Sequence, residues 1–70
     1  MKILFNDRDD GMLKAVEAEV ICIDPRDGGD SGWDVVAKTR DGNSYRIGWA
    51  AYKSDAEFIL RHYFVKGERR

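Results

Sequence analysis

Apolar and polar residues alternate through Trp33 to Lys38 and again through Ser44 to Trp49, the period of half-buried β-strands. Trp33, Val35 and Ala37 share one face of the first run, and Tyr45, Ile47 and Trp49 share one face of the second. A two-residue turn at Asp41-Gly42 would pair Val36 with Ile47 and Lys38 with Tyr45, putting the two apolar rows on opposite faces. A three-residue loop from Arg40 to Gly42, with Gly42 left-handed in a G1 bulge, instead opposes Trp33 to Trp49, Val35 to Ile47 and Ala37 to Tyr45. Because a one-residue slip turns a strand over, burial selects the three-residue loop and makes these six residues the candidate core. Truncating Trp49 to Ala is then expected to cost about 3 to 5 kcal/mol.

The period changes to that of a helix after Ala51. Ser54-Asp55-Ala56-Glu57 has the form of a capping box, with Ser54 as expected N-cap, and Ala56, Ile59, Leu60, Tyr63 and Phe64 follow at i, i+3, i+4, i+7 and i+8. Gly67 is placed to end the helix, with Lys66, Arg69 and Arg70 at or beyond its C-terminus, where positive charge is favoured. Phe58 and Val65 project to the side away from this stripe, beside Arg61 and His62.

The first half begins with a short strand, Lys2 to Asn6, and a turn, Asp7 to Gly11. In Leu13 to Asp24, Val16, Ala18, Val20 and Cys22 alternate with Glu17 and Glu19, but Ile21 and Ile23 fall on the glutamate side. One strand with a bulge near Val20 or Ile21 reconciles this pattern. A helix over Met12 to Val20 is the alternative, and the β-branched run ending at Asp24-Pro25 favours the strand. Pro25 to Gly32 reads as a polar loop. The expectation is a single α+β domain over residues 1 to 70, a four-stranded, mainly antiparallel sheet with one C-terminal helix packed on one face, in the order ββββα.

The run Tyr45-Arg46-Ile47-Gly48, followed by Tyr52-Lys53-Ser54, Ala56 and Ile59-Leu60, resembles the C-terminal part of small uncharacterised bacterial proteins, many of them prophage-associated. In those proteins a strand leads through a Tyr and a capped turn into one short helix. The resemblance covers roughly the last third of the chain and implies the fold of that part, with no activity attached.

Composition narrows the function classes. Seventy residues, 43% hydrophobic, allow one thin core, and so short a chain buries only about 60% of the surface it exposes when unfolded, which makes a homodimer attractive. No apolar run approaches the ~20 residues needed to span a bilayer, and Met1 to Phe5 leads directly into Asn6-Asp7 without a signal-peptide core, so the expected location is the cytoplasm. Cys22 lies within an apolar strand run and reads as a small core residue; His62 reads as a surface residue. One His and one Cys do not assemble a zinc site. Asp7, Asp9 and Asp10 miss EF-hand spacing, because Gly11 and Met12 fall where a ligand and the glycine belong. They read as turn residues, as do Asp24, Asp27 and Asp30. Gly28-Gly29 and Gly32 form no phosphate-binding loop. No catalytic constellation, cofactor or small-molecule substrate is expected, and the chain reads as non-enzymatic.

Charge is uneven although the net is only −1: residues 1 to 35 carry nine acids and four bases, and residues 36 to 70 carry four acids and eight bases. Lys38, Arg40, Arg46, Arg69 and Arg70 are the candidate nucleic-acid contacts, a reading ranked second because the pI is acidic, near 5.7, and the bases sit on different elements. The leading expectation is a protein–protein interaction or self-associating module, with Phe58, Val65, Arg61, His62 and Val36 as candidate interface residues. Leu4 and one of Ile21 and Ile23 are further candidates for outward faces.

Overall fold

The apolar alternation of residues 13 to 24 changes phase after Ala18, and the chain resolves the conflict by making two strands instead of one. A computed structural model describes residues 1 to 68, with side chains described for residues 1 to 62. Strand β1 (Lys2–Asn6) pairs antiparallel with β2 (Leu13–Glu17), and β3 (Val20–Pro25), β4 (Trp33–Lys38) and β5 (Ser44–Ala50) form a separate antiparallel meander. The single helix, α1 (Lys53–Glu68), follows. The protein is therefore α+β with antiparallel sheets and a C-terminal helix, but the described residues form five strands in two sheets where the sequence pattern suggests one four-stranded sheet. The corner lies at Ala18 and Glu19: the Ala18 amide donates to the Met1 carbonyl at 2.7 Å, and the Glu19 amide donates to the Lys38 carbonyl at 2.8 Å. Successive residues thus hand the chain from one sheet to the other, and Ile21 turns inward because it belongs to the second sheet. The helical alternative for residues 12 to 20 is not adopted.

The core lies between the inner faces of the sheets and the helix. It contains Ile3 and Phe5 from β1, Ala18 at the corner, Ile21, Val35, Ala37, Ile47 and Ala50 from the meander, and Ala56 from α1. The Phe5 and Tyr45 rings meet at 5.8 Å between centroids, joining the β1–β2 hairpin to β5. A 3-10 turn at Asp27–Gly29 occupies the polar loop between β3 and β4.

The β4–β5 loop forms as its sequence implies. The Gly42 amide donates to the Thr39 carbonyl at 3.1 Å, Thr39 N–H donates to the Asn43 carbonyl at 2.9 Å, and Gly42 has φ near +95°, leaving Arg40 to Gly42 as the three loop residues. Ala37 opposes Tyr45 as expected. Farther along, a bulge opposite Val35 and Val36 leaves Ile47 unpaired and advances β5 by one residue, so Val35 faces Gly48, Asp34 faces Trp49 and Trp33 faces Ala50. The expected Trp33–Trp49 and Val35–Ile47 pairs do not form.

The helix supplies the reason. A Cβ at Gly48 would lie 3.1 Å from Ile59 Cγ2, tighter than ordinary contact, and 3.6 Å from the Val35 Cβ, so a side chain here would crowd Ile59 where α1 rests on the sheet. The shift places Gly48 and Ala50 under the helix and moves Trp49 to the outer face, where it is 39% exposed and its indole N–H donates to the Ser31 carbonyl at 3.0 Å. Trp49 is therefore not a core residue, and its truncation removes less burial than that of a core aromatic.

Helix α1 begins two residues earlier than the capping-box pattern predicts. The Tyr52 carbonyl accepts the amides of Asp55 and Ala56, each at 3.1 Å, and the Ser54 hydroxyl makes no capping bond among the described residues. Ser54 is inside the first turn, where its amide and hydroxyl no longer stand in N-cap geometry. The predicted stripe is inward where it is described: Ala56 is fully buried and Ile59 and Leu60 half-buried, while the side chains of Tyr63 and Phe64 lie outside the described residues. The helix extends past Gly67 to Glu68, a single helical glycine costing only about 1 kcal/mol.

Candidate interaction surfaces

The β1–β2 hairpin turns alternate residues outward from both strands. Lys2, Leu4 and Asn6 of β1 and Leu13, Ala15 and Glu17 of β2 are all exposed, while Ile3 and Phe5 face the core. The register sets Lys2 opposite Glu17, Leu4 opposite Ala15 and Asn6 opposite Leu13, so these six form one continuous face. Leu4 is 64% exposed and Leu13 65%, with Met12 at 62% beside them. A shallow depression lined by Leu4, Phe5, Arg8, Gly11, Leu13 and Ile47 adjoins this face. Leu4 is outward as expected, but Met12 and Leu13 escaped sequence reasoning. The usable signal was their phase: Leu13 and Ala15 are out of step with Val16 and Ala18, which face the core.

The turn that closes this hairpin is locked by charge. Asp7, buried despite its charge, accepts the Asp9 amide at 2.8 Å on Oδ1 and Lys14 Nζ at 2.7 Å on Oδ2. Asp10 accepts the same ammonium at 2.8 Å and the Met12 amide at 3.0 Å. The Lys14 hydrogen bond, then the amide bonds, hold both carboxyls below their ordinary value near 3.8, and the two carboxylates hold Lys14 protonated beyond its usual range.

Because the folded carboxyls bind protons less readily than the unfolded ones, their stabilisation is complete above the unfolded value and is lost as pH falls through the lower folded values. The melting temperature of wild type is therefore expected to fall more steeply as pH drops below about 4 than that of Lys14→Met. Parallel acid limbs in thermal melts would show that this cluster adds nothing.

The predicted basic residues do not gather. Arg46 pairs with Asp9 through Nη2 and sits 3.7 Å from Asp34, which also forms an ion pair with Arg26 Nε at 3.2 Å. Arg46 thus belongs to an acid-rich network, and the Asp9 bond raises its pKa further. Arg40, very exposed, lies 3.9 Å from Glu19, and Lys38 is exposed at the end of β4. Arg69 and Arg70 lie outside the described residues.

Of the expected interface residues, Phe58 is 68% exposed on α1, with Arg61 and His62 also exposed. Val36 is buried, 6% exposed, because β4 is the central strand and its neighbours Cys22 and Arg46 flank it on the sheet; it is not an interface residue. The Val65 side chain lies outside the described residues. Tyr52, not anticipated, is 71% exposed just before the helix.

Cys22 is only partly buried, its Sγ 3.9 Å from Asp24 Oδ1, so it is not the core residue its sequence context suggests. Among the described residues no group of three or more His, Cys, Asp or Glu side chains is arranged to hold a metal ion, and no helix is long and apolar enough to cross a membrane. Comparison of the chain with protein-family models, with curated proteins and with solved structures finds no match in any of the three.

Proposed function

We propose that this chain is a non-enzymatic protein–protein interaction module of the cytoplasm. One observation carries the reading: Leu4 and Leu13 stand together on the outer side of a hairpin whose inner side already supplies the core, with Met12 exposed in the turn before Leu13. Single exposed apolar residues need no explanation, but two leucines brought onto one face from two strands form a patch that costs solubility unless something covers it. Phe58 and Tyr52 form a second, smaller apolar exposure around α1. The basic residues, by contrast, are dispersed or already paired with acids among the described residues, which offer phosphate no continuous surface.

The test compares Leu13→Asp and Phe58→Ser with wild type in thermal melts, in sedimentation over a concentration series and as baits for proteins of the native host. The variant whose face is used should weaken association about tenfold or more, as expected for an interface anchor, while melting close to wild type. Folded variants that both associate and capture as wild type does would remove the proposal.

A further inference from the structure

The outer face of the β1–β2 hairpin is complementary to itself. Lys2 and Glu17 form the cross-strand pair at one end, Leu4 and Ala15 the pair at the centre, and Asn6 and Leu13 the pair at the other. We propose that this face seats a second copy of the chain, the two hairpins stacked about a two-fold axis that runs between them parallel to the strands. The proposal rests on the interaction-module reading and names its partner.

The axis follows from chemistry. A two-fold parallel to the strands lays each β1 across β2 of the second copy. Lys2 then meets Glu17, Leu4 meets Ala15 and Asn6 meets Leu13, each contact occurring twice. Opposite charges meet, and the largest side chain at the centre lies over the smallest, which suits layers about 10 Å apart. A two-fold perpendicular to the strands would instead set Lys2 against Asn6 and the Glu17 carboxylate against Leu13, leaving both charges without a counter-ion across the interface. Glu17 accepts the Met1 amino group at 2.9 Å, which lowers its pKa and keeps it ionised, and its side chain remains 75% exposed to a second cation.

A face five residues long and two strands wide measures about 17 Å by 10 Å. That is well short of the ~800 Å² per partner of a stable complex, so the dimer is weak and concentration-dependent, with Kd of roughly 0.1 mM or higher. The exposed ion pairs chiefly select the register, and the leucines supply most of the attraction.

Charge reversal gives a test that a merely sticky patch would not pass. Wild type, Lys2→Glu, Glu17→Lys, the double variant and Leu4→Asp are compared by sedimentation equilibrium up to about 1 mM, at low salt where exposed pairs are least screened, with thermal melts to show that each is folded. Lys2→Glu and Glu17→Lys should each dimerise about three- to tenfold less tightly, the shift expected for replacing attraction by repulsion at an exposed pair. An equimolar mixture of the two, or the double variant alone, should recover wild-type association, and Leu4→Asp should abolish it. A wild type that stays monomeric, single reversals without effect, or reversals that fail to rescue each other overturn the proposal. If Leu13→Asp nevertheless loses capture of a different host protein, the interaction module stands with that protein as occupant; if capture is unchanged in both Leu13→Asp and Phe58→Ser, both readings fall.

Discussion

Phe5→Ala should leave the chain unfolded, or close to it, at room temperature. Phe5 is the deepest side chain of the β1–β2 hairpin, 4% exposed, and its ring meets Tyr45 of β5 at 5.8 Å. Truncating such a residue costs about 3 to 5 kcal/mol, against a total stability of about 4 to 10 kcal/mol for a chain of this size. The position matters as much as the volume. A two-stranded hairpin is marginal in water, and this one is held to the rest of the fold by its inner face and a few backbone bonds, among them the Arg8 amide to the Arg46 carbonyl at 3.1 Å. Urea unfolding followed by far-UV circular dichroism measures the loss. Leu4→Ala, one residue away and facing outward, should stay within about 0.5 kcal/mol of wild type. Similar losses at both positions would mean that the hairpin does not rest on the core.

Gly32→Val should cost about 2 to 4 kcal/mol by two separable routes. Gly32 has φ near +93°, a region that is strained for any side chain and worst for a β-branched one. A Cβ built there would also overlap Nε1, Cε2 and Cζ2 of the Trp49 indole, which lies flat against this glycine and donates to the Ser31 carbonyl next to it. The ring would have to leave, giving up that hydrogen bond and its cover over the loop. Repeating the substitution in a Trp49→Ala background removes the overlap and keeps the backbone strain, so a double-mutant cycle apportions the two. The cycle should show coupling above about 0.5 kcal/mol, and tryptophan emission should shift to the red in the single variant. Additive losses would mean that the indole does not rest on Gly32.

Much of this architecture is legible in the order of residues. The three-residue loop before Asn43, the inward Ala56, Ile59 and Leu60 stripe, the outward Phe58 and the Ala37–Tyr45 pair all follow from local rules: a period of two, a period of 3.6 and the need for a left-handed glycine. Such rules act between neighbours in the chain, so the sequence carries them completely. The phase change near Ala18 was visible too, as the mismatch between Val16 and Ile21. What it meant was not, because a bulge within one strand and a corner between two sheets leave the same trace in the pattern.

The candidate surface divides in the same way. Exposure of Leu4 and Phe58 could be read from phase alone, whereas the joining of Leu4 to Leu13 needed the β1–β2 register. By itself, then, the sequence determined one helix, its faces, the hairpin loops and an α+β class. Only the tertiary structure decided that there are two sheets, that Val36 is covered, that Arg46 is spent on Asp9 and Asp34, and that Trp49 lies outside the core. The last of these shows the physical reason. Alternation assigns Trp49 to the inside, but α1 approaches so closely that any large side chain at position 48 would crowd Ile59. A bulge at Ile47 avoids that crowding by turning over the rest of the strand. The contact responsible joins residues 48 and 59 across a turn and a change of element, and no periodicity within either element records it.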